Sequence, residues 1–133
     1  SVLRSCLQAF TAMGRGAPRM QQVFVAGEQL VASLVQGVFD AWPSVKEVVN
    51  AYGPAETHVV TVHRVHSSTW PLPSLRESPA VPIGKALPGV GLALRNTTTS
   101  SSGGQEGELL VSGPCLANGY IGNLSKTSEK FLV

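Results

Sequence analysis

Charge is scarce in this chain, and so are aromatic rings, cysteines and long apolar stretches. Charged residues make up 14% and aromatic residues 6% of its 133 positions. The 10 Lys and Arg against 8 Asp and Glu leave a net charge of only +2, and the basic residues are scattered. That excludes the polybasic stripe a nucleic-acid surface needs. Cys6 and Cys115 stand far apart with no Cys-x-x-Cys spacing, which argues against a zinc site or a disulfide framework and fits a reducing cytosol. Both read as small buried apolar residues. No apolar run approaches the ~20 residues that span a bilayer, and no charged-then-apolar leader opens the chain, so a cytoplasmic protein without a membrane role is expected. What remains is 43% hydrophobic content, ordinary for one modest globular domain.

The apolar residues fall into two textures. Val2, Leu3, Cys6, Leu7, Phe10 and Met13 recur at helical steps, and Gly14 would end that helix. Residues 14–19 then read as a loop and 22–26 as a short strand. Gly27 is expected to open a second helix, whose Leu30, Val31, Leu34, Val35, Val38 and Phe39 form a broad stripe facing a sheet, with Trp42-Pro43 closing it. A strand at 46–50 would complete a strand–helix–strand unit with its strands parallel. A further strand is expected over 58–64, with His58 and His63 on opposite faces and His66 beyond it, so no three-histidine metal site. The prolines at 71, 73, 79 and 82 mark residues 67–80 as a connector. From Val81 onward, short β segments at 83–84, 91–96, 108–112 and 116–120 suggest a small antiparallel subdomain. The fold class is therefore α/β over residues 1–66, followed by a β-rich part over 81–133.

Between the second and third strands lies Asn50-Ala51-Tyr52-Gly53-Pro54-Ala55-Glu56, which packs a ring, an abrupt turn and a lone carboxylate together. Ligands of open α/β sheets collect where strands end, as this one does. Tyr52 could stack on a base, the Asn50 amide could read its edge, and Glu56 could hold a magnesium ion. Spacing alone favours a plain strand-ending turn with a half-buried tyrosine.

The motif resembles the Asn-x-Tyr-Gly-Pro-Thr-Glu signature of the adenylate-forming superfamily, particularly the adenylation domains of nonribosomal peptide synthetases. Val23-Phe24-Val25-Ala26-Gly27-Glu28 is similar to the family's upstream strand and Gly-Gly-Glu turn. Gly107-Glu108-Leu109, followed by Leu116-Ala117-Asn118-Gly119-Tyr120, Thr127 and Phe131, resembles a third family signature. The resemblance implies a piece of the N-terminal core of an ATP-dependent ligase. Such enzymes join a carboxylic or amino acid to the α-phosphate of ATP, release pyrophosphate, and pass the acyl group to a pantetheine thiol on a carrier protein or to CoA. By the same resemblance Tyr52 stacks on adenine, Asn50 bonds its edge, and Gly27, Ala51, Gly53 and Ala55 adjoin the nucleotide. Glu56 is the catalytic residue and helps ligate Mg2+, while Phe24, Ala26, Ala51, Val59 and Val60 lie beside the acyl substrate. Tyr52 and Glu56 are expected to project into one shared cleft.

Departures and gaps accompany the match. Ala55 replaces the family's Thr and removes a hydroxyl near the phosphates, Asn118 replaces an Arg, and Ala26 replaces a Gly. Glu28 matches the family and equally suits a carboxylate at a helix start. Thr97 to Gly104 could pass for the family's phosphate loop, but it has no lysine and lies downstream of the other motifs, so a flexible hairpin loop is expected there. Near the end, Thr127 is expected to cap a helical turn with its hydroxyl. Superfamily members are several times longer, which implies that the rest of the adenylation domain would be this chain's first partner. An acyl-CoA ligase segment, or a non-catalytic remnant on the same scaffold, is the alternative.

Overall fold

The computed structural model describes residues 2–13, 19–71 and 79–132. Residues 14–18 of the expected loop and 72–78 of the proline connector lie outside the described residues, as do the side chains of Val2, Phe10 and Met13. Helix α1 spans Val2–Met13, strand β1 Gln22–Val25, helix α2 Ala32–Ala41, β2 Glu47–Tyr52, β3 Thr61–His66, β4 Lys85–Ala86, β5 Gly91–Thr99, β6 Gln105–Ser112 and helix α3 Leu124–Lys130. Strands β1 to β4 form one sheet in that order, and β5 and β6 form a separate hairpin sheet. β1 and β2 are parallel, as the strand–helix–strand reading requires, while β2–β3 and β3–β4 are antiparallel.

The core lies between α2 and one face of the larger sheet. Register puts Val23, Val25, Val48, Asn50, His63 and Val65 on that face, because paired residues share a side and alternate residues oppose. Leu34, Val35 and Val38 of α2 are buried against it with Leu30, Trp42, Val45 and Val81. Burying each such side chain contributes about 1.5–3 kcal/mol before entropy is counted. From α1, Leu3 and Leu7 pack on this core, with Leu7 Cδ1 beside Gly37, where an added Cβ would make ordinary contact at 3.4 Å.

Several elements depart from the sequence reading. Helix α2 does not open at Gly27: residues 29–31 stay outside it, with Val31 extended, because Val81 N donates to Leu30 O and Val31 bridges Ala80. The helix then starts at Ala32, whose free N–H is taken by Pro79 O at 2.8 Å. Glu28 is thus no helix-start carboxylate. β2 runs on to Tyr52, because Tyr52 pairs with Thr61 and accepts from Val60 N. β3 starts three residues after His58, which instead turns the chain at φ 60°, and it includes His66.

The strand expected at 83–84 falls at Lys85–Ala86 and pairs with β3 rather than the hairpin. Both hairpin strands are longer than expected, so Thr97–Thr99 lie in β5 and the loop shrinks to 100–104, closed by Ser100 N to Gly104 O. Residues 116–120 form no strand, since Gly113 at φ 131°, Pro114 and Gly119 at φ 134° interrupt regular pairing. Asn123, not Thr127, caps α3 by accepting from Lys126 N. Cys6 is exposed and Cys115 half-buried, against the expectation that both are buried.

The sheet face away from α2 holds Glu47, only 5% exposed. Its carboxylate accepts from Gln22 Nε2 and Arg64 Nη1, each at 2.7 Å, and lies 3.4 Å from His66 Nε2. Three partners offset the cost of taking a charge from water. No helix among the described residues is long and apolar enough to cross a membrane.

Candidate functional site

Because β1 and β2 are parallel, their carboxyl ends open on the same rim of the sheet. There residues 27–30, the end of β2 and residues 80–83 enclose a cavity of about 650 Å³. Gly27 forms part of its wall at φ 87°, and a Cβ there would meet nothing within 4 Å, so the space over its backbone is open. Tyr52, 38% exposed, contributes its ring to the wall, with Ala51, Gly53 and Pro54 beside it.

Asn50 is buried beneath this cavity, and its amide nitrogen donates to Val81 O at 3.3 Å and Pro82 O at 2.9 Å. The 79–82 segment is thereby strapped across the sheet end by three contacts: Pro79 O at the start of α2, Val81 N at Leu30, and Asn50 from below. Asn50 thus builds one side of the cavity, a role its spacing does not reveal.

Past Pro54 the chain folds back tightly. Thr57 N donates to Pro54 O at 3.1 Å, and Thr57 Oγ1 bonds His58 O at 3.1 Å. Gly53 has to be glycine, for a Cβ there would fall 1.6 Å from His58 O. The reversal carries Glu56 to the other flank of Pro54, where it lines a second cavity of about 670 Å³ with residues of β5, β6 and the C-terminal segment. Tyr52 and Glu56 therefore line adjoining cavities that meet at Pro54, not the single cleft expected.

Two contacts fix Glu56 there. Its backbone oxygen accepts from Ala117 N at 2.8 Å, and its Oε1 accepts from the Tyr120 hydroxyl at 2.5 Å. Tyr120 is itself held: Thr127 Oγ1 accepts from its amide at 2.9 Å, Phe131 meets its ring edge-on at 5.7 Å, and Lys126 Nζ stands 4.5 Å from its ring centroid. The Tyr120 hydrogen bond, then the residue's own backbone N–H and the charge of Lys126, hold the Glu56 carboxyl below its usual range against a smaller opposing effect of burial. The same bond raises the Tyr120 phenol. Tyr120 was legible only as a letter in a motif. Nothing in the spacing linked it to a residue 64 positions upstream.

The other expected site residues are dispersed. Phe24 is 66% exposed on the face away from α2, Val60 has no exposed surface, Val59 is half-buried, and none of these, nor Ala26 or Ala55, lines either cavity. In β3, Thr61 Oγ1 and His63 Nε2 are buried without a hydrogen-bond partner, opposite Tyr52 and Asn50 in the ladder. Burial lowers the His63 pKa. Among the described residues no three His, Cys, Asp or Glu side chains gather as a metal cage. Glu56 is the carboxylate at the turn, which suits a magnesium ion held mainly by phosphates and water.

The family model "AMP-binding enzyme" matches residues 1–121. The chain is 32% identical over 114 residues to tyrocidine synthase 3 of Brevibacillus parabrevis, covering 85% of this chain and 2% of that one. It is likewise 32% identical over 125 residues to a D-alanine–D-alanyl carrier protein ligase of Streptococcus equi subsp. equi, covering 86% of this chain and 22% of the ligase. Among solved structures it superposes on the Vibrio cholerae adenylation domain AlmE in complex with glycyl-adenosine-5'-phosphate, with a TM-score of 0.65 and 26% identity. That match covers 96% of this chain and 25% of the other. The chain thus spans about a fifth of the length of the carrier protein ligase and far less of the synthase, and by the match over residues 1–121 it belongs to the AMP-binding enzyme family.

Proposed function

We propose that this chain supplies the adenine-facing part of an ATP-dependent site that activates an amino acid, as its acyl adenylate, for transfer to the pantetheine thiol of a carrier protein. The observation that carries it is the cavity where Tyr52, Asn50 and the open backbone of Gly27 converge at the carboxyl ends of two parallel strands. Tyr52 presents a ring for stacking, and Gly27 lets a flat base approach the backbone. Asn50 has its amide nitrogen committed to the 81–82 strap, so it meets a base edge through Oδ1.

Joining a carboxylate to the α-phosphate needs alignment and charge neutralisation more than a covalent nucleophile. Glu56 is the residue that would hold Mg2+, whose chemistry is to neutralise the phosphates. Ala51 is the one expected acyl-side residue that lines the cavity, and Phe24, Ala26, Val59 and Val60 do not line it. In this reading residues 1–66 carry the nucleotide loop, 67–80 link it, and 81–133 latch it from below. The D-alanine ligase and synthase relatives favour an amino acid and a carrier over CoA. Dependence on ATP fits a cytoplasmic enzyme.

Calorimetric titration of the chain with ATP and Mg2+ tests the proposal. Binding is expected, and Tyr52→Ala is expected to abolish most of it; absence of heat, or a variant as tight as the parent, refutes it and leaves a non-catalytic module. Ala55 favours that second reading, since a lost hydrogen bond to a charged group is worth about 1.5–3 kcal/mol. Ala55→Thr is accordingly expected to tighten nucleotide binding roughly tenfold or more, and no gain would count against the phosphate placement.

A further inference from the structure

We infer that Tyr120 is a positioning residue for the metal-facing carboxylate: it holds Glu56 Oε1 from the far side of the turn, so that a divalent cation is met through Oε2 alone. This rests on the nucleotide reading of the site. The geometry behind it is independent of that reading. The turn at 53–58 carries its carboxylate on a side chain with three rotatable bonds, and such an arm loses rotamer entropy whenever it is fixed. Here the fixing is done before any ligand arrives. Ala117 N holds the backbone of Glu56 and the Tyr120 hydroxyl holds its side chain, both from a single five-residue span, 116–120.

That span is anchored in turn. Thr127 Oγ1 accepts from Tyr120 N and donates to Asn123 O at 2.9 Å, tying the tyrosine to the first turn of α3. Phe131 from the end of α3 closes on the ring. Gly119 is required at φ 134°, where a Cβ would stand 2.5 Å from Thr127 Cγ2. A chain of specific contacts therefore runs from α3 through Tyr120 to one oxygen of Glu56. A ring placed only to fill space would need neither the hydroxyl contact nor the matched backbone bond. With one oxygen engaged by a neutral donor, the carboxylate keeps its charge and presents its other oxygen at a fixed angle, which suits the near-octahedral demands of magnesium. Lys126 stands over the ring, and its charge favours the ionised form of Glu56 from there.

The test is binding of Mn2+ with ATP to the chain, read by the loss of the free-Mn2+ electron paramagnetic resonance signal, beside ATP binding in EDTA. Tyr120→Phe keeps the ring between Phe131 and Lys126 and removes only the hydroxyl. It is expected to weaken Mn2+-dependent binding about three- to tenfold and to leave metal-free ATP binding unchanged. Glu56→Gln is expected to weaken the metal-dependent part more, and Y120F added to E56Q is expected to cost nothing further. Glu56→Asp, one methylene short of the hydroxyl, is expected to match Y120F and tests the same bond should Y120F not fold. Positioning is overturned if Y120F binds Mn2+ and ATP like the parent, if it weakens metal-free binding equally, or if its effect multiplies with that of E56Q. If the parent takes up no Mn2+ with ATP, or E56Q equals the parent, the nucleotide reading itself falls and this inference with it.

Discussion

Replacing Gly53 with alanine should damage the protein more than any other single methyl added to the site. The new Cβ would stand 1.6 Å from His58 O and 2.7 Å from its carbonyl carbon, and both are backbone atoms with no rotamer to swing away. Ordinary contact begins near 3.4 Å, so moving from 1.6 to 3.4 Å requires a shift of about 1.8 Å. A shift of that size exceeds the tolerance of the Thr57 Oγ1 to His58 O bond at 3.1 Å and the Val60 N to Tyr52 O bond at 2.8 Å. Overpacking costs about 1–3 kcal/mol and each lost hydrogen bond about 1 kcal/mol, giving about 3–5 kcal/mol in all. A domain of this size has roughly 5–15 kcal/mol to lose.

Gly27→Ala is the control. Its Cβ meets nothing within 4 Å, and only its φ of 87° opposes the change, so it should cost about 1–2 kcal/mol. Urea unfolding followed by Trp42 and Trp70 fluorescence measures both. If G53A is no more destabilising than G27A, the claim that the turn is closed by backbone contact is wrong.

Three further outcomes follow from contacts already described. Asn50→Ala should cost about 1–3 kcal/mol by stranding Val81 O and Pro82 O, and should speed hydrogen exchange at the Val81 amide in particular; unchanged exchange there would show that the strap holds without it. Burial keeps the His63 imidazole below its ordinary 6.5, so the unfolded chain takes up that proton first. Stability is therefore full above about pH 6.5 and declines as the pH falls through the lowered native value, a slope that His63→Gln should flatten and NMR titration of the imidazole should locate. Glu47→Ala should cost about 1–3 kcal/mol rather than the more usual toll of breaking a buried pair, because the Arg64 side chain is 52% exposed and turns to water; a loss well above that range in urea unfolding would mean the charge is more deeply shielded.

The α/β half was largely legible because its signals are local. Leu34, Val35 and Val38 repeat at helical spacing, and the apolar runs around Val25 and Val48 end at glycine and proline. Boundaries failed where a distant partner decided them. Leu30 and Val31 have the periodicity of α2 yet stay outside it, since residues 80 and 81 offer them backbone bonds. Residues 116–120 look like a strand but answer to Glu56. Tyr52, Gly27 and Asn50 belong to the motifs the sequence displays, and they line one cavity. Glu56 belongs to the same seven-residue motif and sits elsewhere, because the sense of a tight turn depends on contacts such as Gly53 against His58 that no spacing encodes.

Glu47 has a consequence beyond its own ion pairs. Its partners Gln22 and Arg64 sit on the two strands that flank β2, so one acid joins three neighbouring strands. Sliding β1 or β3 by a single position would carry Gln22 or Arg64 to the opposite side of the sheet and cost the acid that partner. The rim where Gly27 faces Tyr52 is thus indexed from the far end of the strands, and an error in pairing is penalised before any ligand can sense it.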